Sequence, residues 1–219
     1  NMAYTTINKS TEHFNTKIYT GTGSSLALTG VGFQPDFTWI KCRAAGSGTD
    51  HVLFDAVRGV TKALNSNDNS IEDTISNSLT AFGTDGFTVN GNGATGASGD
   101  TYVGWNWKAN GAGSANTDGS INSTVSVNQT AGFSIVSWTG DATTGATIGH
   151  GLGVKPSMII LKNRSPDTAS WTIYHSSLGA TKYMVMESTN AVQTSNTRWY
   201  DTEPTNQVFT VGSSGNVTG

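Results

Sequence analysis

Residues 30–43, GVGFQPDFTWIKCR, return as residues 151–164, GLGVKPSMIILKNR, and this pairing decides how the chain is read. Both glycines, the proline and the closing Lys-x-Arg coincide, with Pro35 over Pro156 at a spacing of 121 residues. Within the first stretch the side chains alternate as on an extended strand. Phe37, Trp39, Lys41 and Arg43 share one face, and Thr38, Ile40 and Cys42 share the other. In the second stretch the first face becomes Met158, Ile160, Lys162 and Arg164.

Working outward, residues 14–21 (FNTKIYTG) lie over residues 133–140 (FSIVSWTG). Phe54 falls on Tyr174, Gly59 on Gly179 and Lys62 on Lys182, and residues 87–89 (FTV) recur as 209–211 (FTV). The order is kept and the spacing drifts by only a few residues. One such match between two stretches rich in Gly, Ser and Thr could be chance, but several in register indicate duplication.

Short alternating runs separated by Gly-rich turns predict a sandwich or barrel, and the 27 glycines supply the turns. The expected fold is all-β: two tandem jelly-roll-like (lectin-like) antiparallel β-sandwich units, the second lacking its final strand. Residues 1–109 form the first repeat, 110–128 a polar Gly/Ser/Asn linker or long loop, and 129–219 the second, incomplete repeat. The first repeat closes with residues 99–108 (GDTYVGWNWK), which have no counterpart in the second. Either the native chain continues past Gly219 or another chain supplies that strand. No amphipathic helix is predicted, and residues 69–79 could hold one short turn.

Several function classes are disfavoured at once. Twelve Lys and Arg against 15 Asp and Glu give no broad basic field, so nucleic acid is not expected as a partner. No apolar run approaches the roughly 20 residues needed to cross a bilayer, so membrane insertion is not expected. No signal peptide is visible at the start. The single Cys42 cannot form an intrachain disulfide, which fits assembly in a reducing cytoplasm or stabilisation as a homo-oligomer. Of the carboxylates, Asp36 meets Ser157 and Asp55 meets His175, so no acid pair belongs to the repeated design. No catalytic residue is assigned and an enzyme is not expected. The four histidines lack metal-type spacing, and residues 65–73 (NSNDNSIED) lack the spacing of a helical calcium loop. Residues 91–96 (GNGATG) have no following helix to make a phosphate loop. No metal or cofactor is expected.

Aromatic residues are the more informative class, because sugar rings stack on exposed Trp and Tyr. Trp39 is replaced by Ile160, which predicts core packing there, and Trp105 and Trp107 are expected to face the core too. Arg198, Trp199 and Tyr200 form a dense aromatic-charged cluster, either a ligand platform or a half-buried strand matching residues 79–82. Lys41 with Lys162, and Arg43 with Arg164, are the polar residues shared by both copies. They are candidates for a recognition pair, with capping of a strand end as the simpler reading.

With residues 32–41 (GFQPDFTWIK), 53–59 (LFDAVRG) and 102–108 (YVGWNWK), together with the opening residues 2–8, the chain resembles tandem repeat domains of virion-associated proteins of marine bacteriophages. The resemblance spans nearly the whole chain and transfers no catalytic residues. It implies a non-enzymatic tail-fibre, spike or capsid-attached adhesin with a lectin-like sandwich, assembled in the host cytoplasm and acting at the virion surface. Its partners would be other virion proteins and host-surface glycans, with repetition adding avidity. The alternative is a pair of carbohydrate-binding modules from a secreted bacterial protein, and a sandwich-fold glycosidase ranks third.

Overall fold

The structure, a computed structural model, describes residues 7–44, 49–165 and 168–218. Residues 2–6 of the opening, and the expectation attached to Gly219, fall outside these. The chain is nearly all β, an antiparallel all-β sandwich fold. It divides into two compact units that interleave in sequence. The first holds residues 1–63, 73–113 and 126–135, and the second 64–72, 114–125 and 136–219.

In the first unit a 3-10 turn (Ser10–Glu12) precedes nine strands: β1 (Phe14–Thr20), β2 (Leu26–Leu28), β3 (Phe37–Cys42), β4 (His51–Asp55), β5 (Gly59–Asn65), β6 (Asp73–Thr74), β7 (Leu79–Gly83), β8 (Gly86–Val89) and β9 (Thr101–Trp107). Six of them form one sheet in the order β1-β9-β3-β4-β5-β6, and three form another, β2-β8-β7. The last strand to appear in sequence is thus internal. Its Val103 pairs with Ile18 of β1, and its Gly104 with Ile40 of β3.

One core cluster joins the two sheets. Tyr19, Ile40, Val52, Phe54 and Tyr102 from the large sheet pack with Leu28, Leu79, Phe87 and Val89 from the small one. Gly104 lies directly under Phe87: a Cβ there would sit 3.1 Å from the ring edge. Thr38 and Asn106 are also fully buried, and the Thr38 hydroxyl donates to Asn106 Oδ1 at 3.1 Å. Asn106 Nδ2 in turn donates to the carbonyls of Asn15 and Gly104, so no polar group of this amide is stranded.

This arrangement corrects the sequence expectation for three tryptophans. The inward set is Thr38, Ile40 and Cys42 with Tyr102, Gly104 and Asn106. Trp39, Trp105 and Trp107 occupy the alternate positions and stand half-buried on the outer face. The space beneath the Phe87 ring admits glycine and not indole.

The second unit contains β10 (Ser114–Asn116), β11 (Ser123–Asn128), β12 (Phe133–Trp138), β13 (Thr147–Gly149), β14 (Met158–Leu161), β15 (Thr172–His175), β16 (Lys182–Val185), β17 (Gln193–Thr194), α1 (Asn196–Trp199), β18 (Val208–Thr210) and α2 (Gly215–Thr218). Strands β5, β11 and β12 contribute residues to both units. Residues 110–128, expected as linker or loop, instead carry β10 and β11, which pair through Ser114 and Val125. The remaining sheets run β10-β11-β12, β13-β18 and β14-β15-β16-β17.

The strand registers repeat between the units. Lys62 faces Thr74 as Lys182 faces Thr194, and Leu28 faces Phe87 as Ile148 faces Phe209. Phe37 faces Asp55 as Met158 faces His175. The second core packs Ile148, Tyr174, Trp199, Phe209 and Val211. Where the first unit has β7, the second has the one-turn helix α1. Ser195 caps it by accepting from Thr197 N, and Tyr200 closes it in the left-handed region at φ 53°. The half-buried strand expected around Trp199 is therefore replaced by a helical turn, and residues 69–79 hold the short strand β6.

Candidate functional site

The feature with the most chemistry is the outer face of the six-stranded sheet in the first unit. Period-two alternation places Phe14, Thr16 and Ile18 of β1, Trp107, Trp105 and Val103 of β9, and Phe37, Trp39 and Lys41 of β3 on one side. Trp107 is the hub of one cluster. Its ring lies 4.8 Å from Phe14, 5.4 Å from Phe37 and 6.1 Å from Phe133, on which it stacks at 21°. A second cluster forms where Trp39 meets Trp105 edge-on at 6.3 Å and His51 at 6.0 Å. Ile18, 62% exposed, extends the apolar surface along β1.

Polar groups fix this face. Trp39 Nε1 donates to His51 Nδ1 at 3.1 Å, which sets the indole plane. Burial lowers the His51 pKa and the neighbouring Lys41 lowers it further, with Asp50 opposing them. Lys41 Nζ is itself held by the Thr49 carbonyl. The result is a half-buried row of aromatic rings beside a neutral imidazole and an ammonium group. Such a surface offers C–H and cation contacts to the face of a ring and hydrogen bonds at its edge.

The sequence-derived candidates are dispersed. On α1, the Arg198 guanidinium sits 4.7 Å from the centre of the Tyr183 ring and donates to Ser214 Oγ. Trp199 is core, 1% exposed and edge-on to Tyr174 at 5.9 Å. Only Tyr200 projects into solvent, so the three do not form one platform. Lys162 Nζ binds the carbonyls of Asn69, Asn163 and Ala169, and Arg164 Nη1 meets the Glu72 carboxylate at 3.1 Å. These two tie β14 to residues 64–72 of the same unit. Arg43 contributes its backbone N–H to Thr101 O. In Lys41 and Lys162 the shared lysines thus hold backbone carbonyls, as strand-end caps do.

Three carboxylates of the first unit accept from backbone N–H groups or a neighbouring guanidinium. Asp36 accepts from Ala109 N at 2.7 Å, and Asp85 from Gly30 N and Gly32 N. Asp55 accepts from Arg58 Nε at 2.5 Å with both side chains almost fully buried. Among the described residues no group of three or more His, Cys, Asp or Glu lies close enough to hold a metal ion. No helix among them is long and apolar enough to cross a membrane.

The sequence did contain a signal for the outer face. A glycine inside an otherwise aromatic strand marks close approach of another element on its own side, and Gly104 does this for β9. Reading inward from Gly104 places Tyr102 and Asn106 in the core and Trp105 and Trp107 outside.

The chain belongs to the family described as a domain of unknown function, DUF7483, whose model matches residues 9–219. No curated protein matches the chain. No solved structure matches it either.

Proposed function

We propose that this chain is a non-enzymatic glycan-binding protein of a bacteriophage virion surface, a tail-fibre, spike or capsid-attached adhesin. In this reading the aromatic face of the first unit contacts sugar. The observation that carries the binding role is the placement of Trp39, Trp105 and Trp107 on the outer face. Leaving three indoles only part-buried forgoes some of the burial that a core position would give them, and a face that meets a ligand recovers it. The virion assignment is supported by the resemblance of residues 32–41, 53–59 and 102–108 to phage repeat domains. The uncharged Ser/Thr/Asn/Gly surface and the duplication, which favours avidity, fit the same role.

A glycan array probed with the fluorescently labelled chain tests the binding role, and antibody labelling of purified particles by electron microscopy tests the location. Retention of defined glycans together with labelled particles supports the proposal. Retention without particle association favours the reading as carbohydrate-binding modules of a secreted protein. Failure to retain any glycan overturns the binding role.

A further inference from the structure

We infer that the aromatic face of the first unit selects acidic sugars: a short oligosaccharide lies along β9 and β3, its rings against Trp39 and Trp105 and a carboxylate at Lys41 and Arg43. The inference rests on the glycan reading and narrows it from sugars in general to glycans bearing a uronate or sialate carboxylate.

The strand register lays the face out in rows. Trp105 pairs with Thr16 on one side and with Trp39 on the other. Two residues along, Val103 pairs with Ile18 and with Lys41, and Lys41 in turn with His51 of β4. In the next row Thr101 pairs with Thr20, and its carbonyl accepts from Arg43 N. Residues directly opposite one another in a sheet point to the same side. The face therefore passes from indoles, through Ile18 and Val103, to a rim of two threonines and two cations. Four residues separate Trp105 from Thr101, about 14 Å along the strand, which is room for more than one sugar ring.

Charge along this path is one-sided. Arg43 is exposed, and Lys41 is half-buried with its Nζ on the Thr49 carbonyl, a neutral acceptor that leaves the ammonium charge uncancelled. Asp100, next to Thr101, lies with one carboxylate oxygen 4.0 Å from Cys42 Sγ, on the inner side of the sheet. Asp36 and Asp55 stand at the aromatic end, where Ala109 N and the Arg58 guanidinium occupy them. Asp50 reaches the cationic end, and its effect on His51 is smaller than that of Lys41. The whole chain has a formal net charge of −3, so a positive rim beside part-exposed indoles is local to this face. A carboxylate brought to Arg43 takes charge-assisted, two-pronged hydrogen bonds, while the ring that bears it rests on the indoles. A neutral sugar makes only the second contact.

The test uses the full chain on an array printed with matched pairs. Sialylated oligosaccharides stand beside their desialylated forms, and oligoglucuronates beside neutral oligoglucosides of the same linkage. Acidic members should be retained about tenfold more strongly than their neutral partners at low salt, with the margin shrinking as salt screens it. Arg43→Gln, at an exposed position, should melt as the wild type does and lose most of that margin. Lys9→Gln removes an equal charge beyond the aromatic end and should keep it. Retention of neutral members alone, or of both members equally, overturns the acidic selection and leaves the sugar reading standing, whereas no retention of any sugar overturns both. A margin untouched by Arg43→Gln, or cut equally by Lys9→Gln, would also overturn the inference.

Discussion

Trp39 Nε1 donates to His51 Nδ1 at 3.1 Å, so the imidazole must be neutral and present Nδ1 as an acceptor. Its pKa is lowered by burial and by Lys41. A lowered histidine pKa means that the unfolded chain binds the proton first as pH falls. The contribution of His51 to stability is then whole above its ordinary value of about 6.5 and declines as pH drops toward the folded value. Urea midpoints across pH 5–8 should show the wild type losing ground, in that window, to a His51→Gln variant that cannot titrate. Parallel curves for the two proteins would refute the assignment.

Asp55 and Arg58 form a buried pair, with side chains 7% and 5% exposed. Arg58 also donates to the Lys62 and Leu53 carbonyls, so it stays in place when its partner is removed. Asp55→Ala should cost up to about 3–5 kcal/mol in chemical denaturation, because a buried guanidinium loses the carboxylate it contacts. A loss under about 1 kcal/mol would show that water reaches the site.

Glu203 accepts from Lys155 Nζ at 2.7 Å, from the Tyr174 hydroxyl at 2.6 Å and from Ala180 N at 2.7 Å. The Lys155 and Tyr174 contacts lead in holding its pKa below the carboxylate norm. Stability from this group is present above the ordinary value of about 4.3 and lost as pH falls through the lower folded value. Thermal melts from pH 6 to 3 should fall more steeply for the wild type than for Glu203→Gln. Half-exposure of both Lys155 and Glu203 keeps the ion-pair part small and salt-sensitive. Equal slopes would remove Glu203 from the acid response.

Gly104→Ala places a methyl group 3.1 Å from the Phe87 ring edge, inside a packed core. A destabilisation of about 1–3 kcal/mol is expected from overpacking, read as a lower denaturant midpoint with an unchanged slope. An unaltered midpoint would mean that the sheets separate freely at this point.

Much of the fold was legible because strand alternation and duplication are written in local patterns. Pro35 over Pro156 and Lys62 over Lys182 set the correspondence that the strand registers repeat. Alternation gives two faces and does not say which one is inside. The replacement of Trp39 by Ile160 and the alternation of Trp105 with polar residues favour both as core, whereas the ring of Phe87 requires glycine beneath it and Thr38 and Asn106 satisfy each other. That choice depends on a strand contributed from far along the chain. The helical turn at Trp199 was hidden for another reason. Its only local signals are the Ser195 cap and a left-handed Tyr200, and left-handed backbone is uncommon for tyrosine. The candidate site was missed with the same choice of face, since what looked like core is the outer face of the sheet, where the proposed ligand contact is placed.

Replacing single tryptophans tests the central claim most directly, with glycan retention and fold stability read on the same proteins. For Trp39→Ala and Trp105→Ala the expectation is a loss of glycan affinity of about tenfold or more. Stability in these variants should fall by only about 1–2 kcal/mol, because the residues are half-buried. Trp199→Ala, in the second core, should instead cost about 3–5 kcal/mol and leave affinity intact in whatever fraction stays folded. Unchanged glycan retention in Trp39→Ala and Trp105→Ala, or retention lost only in step with unfolding, would contradict the outer aromatic face as the binding site.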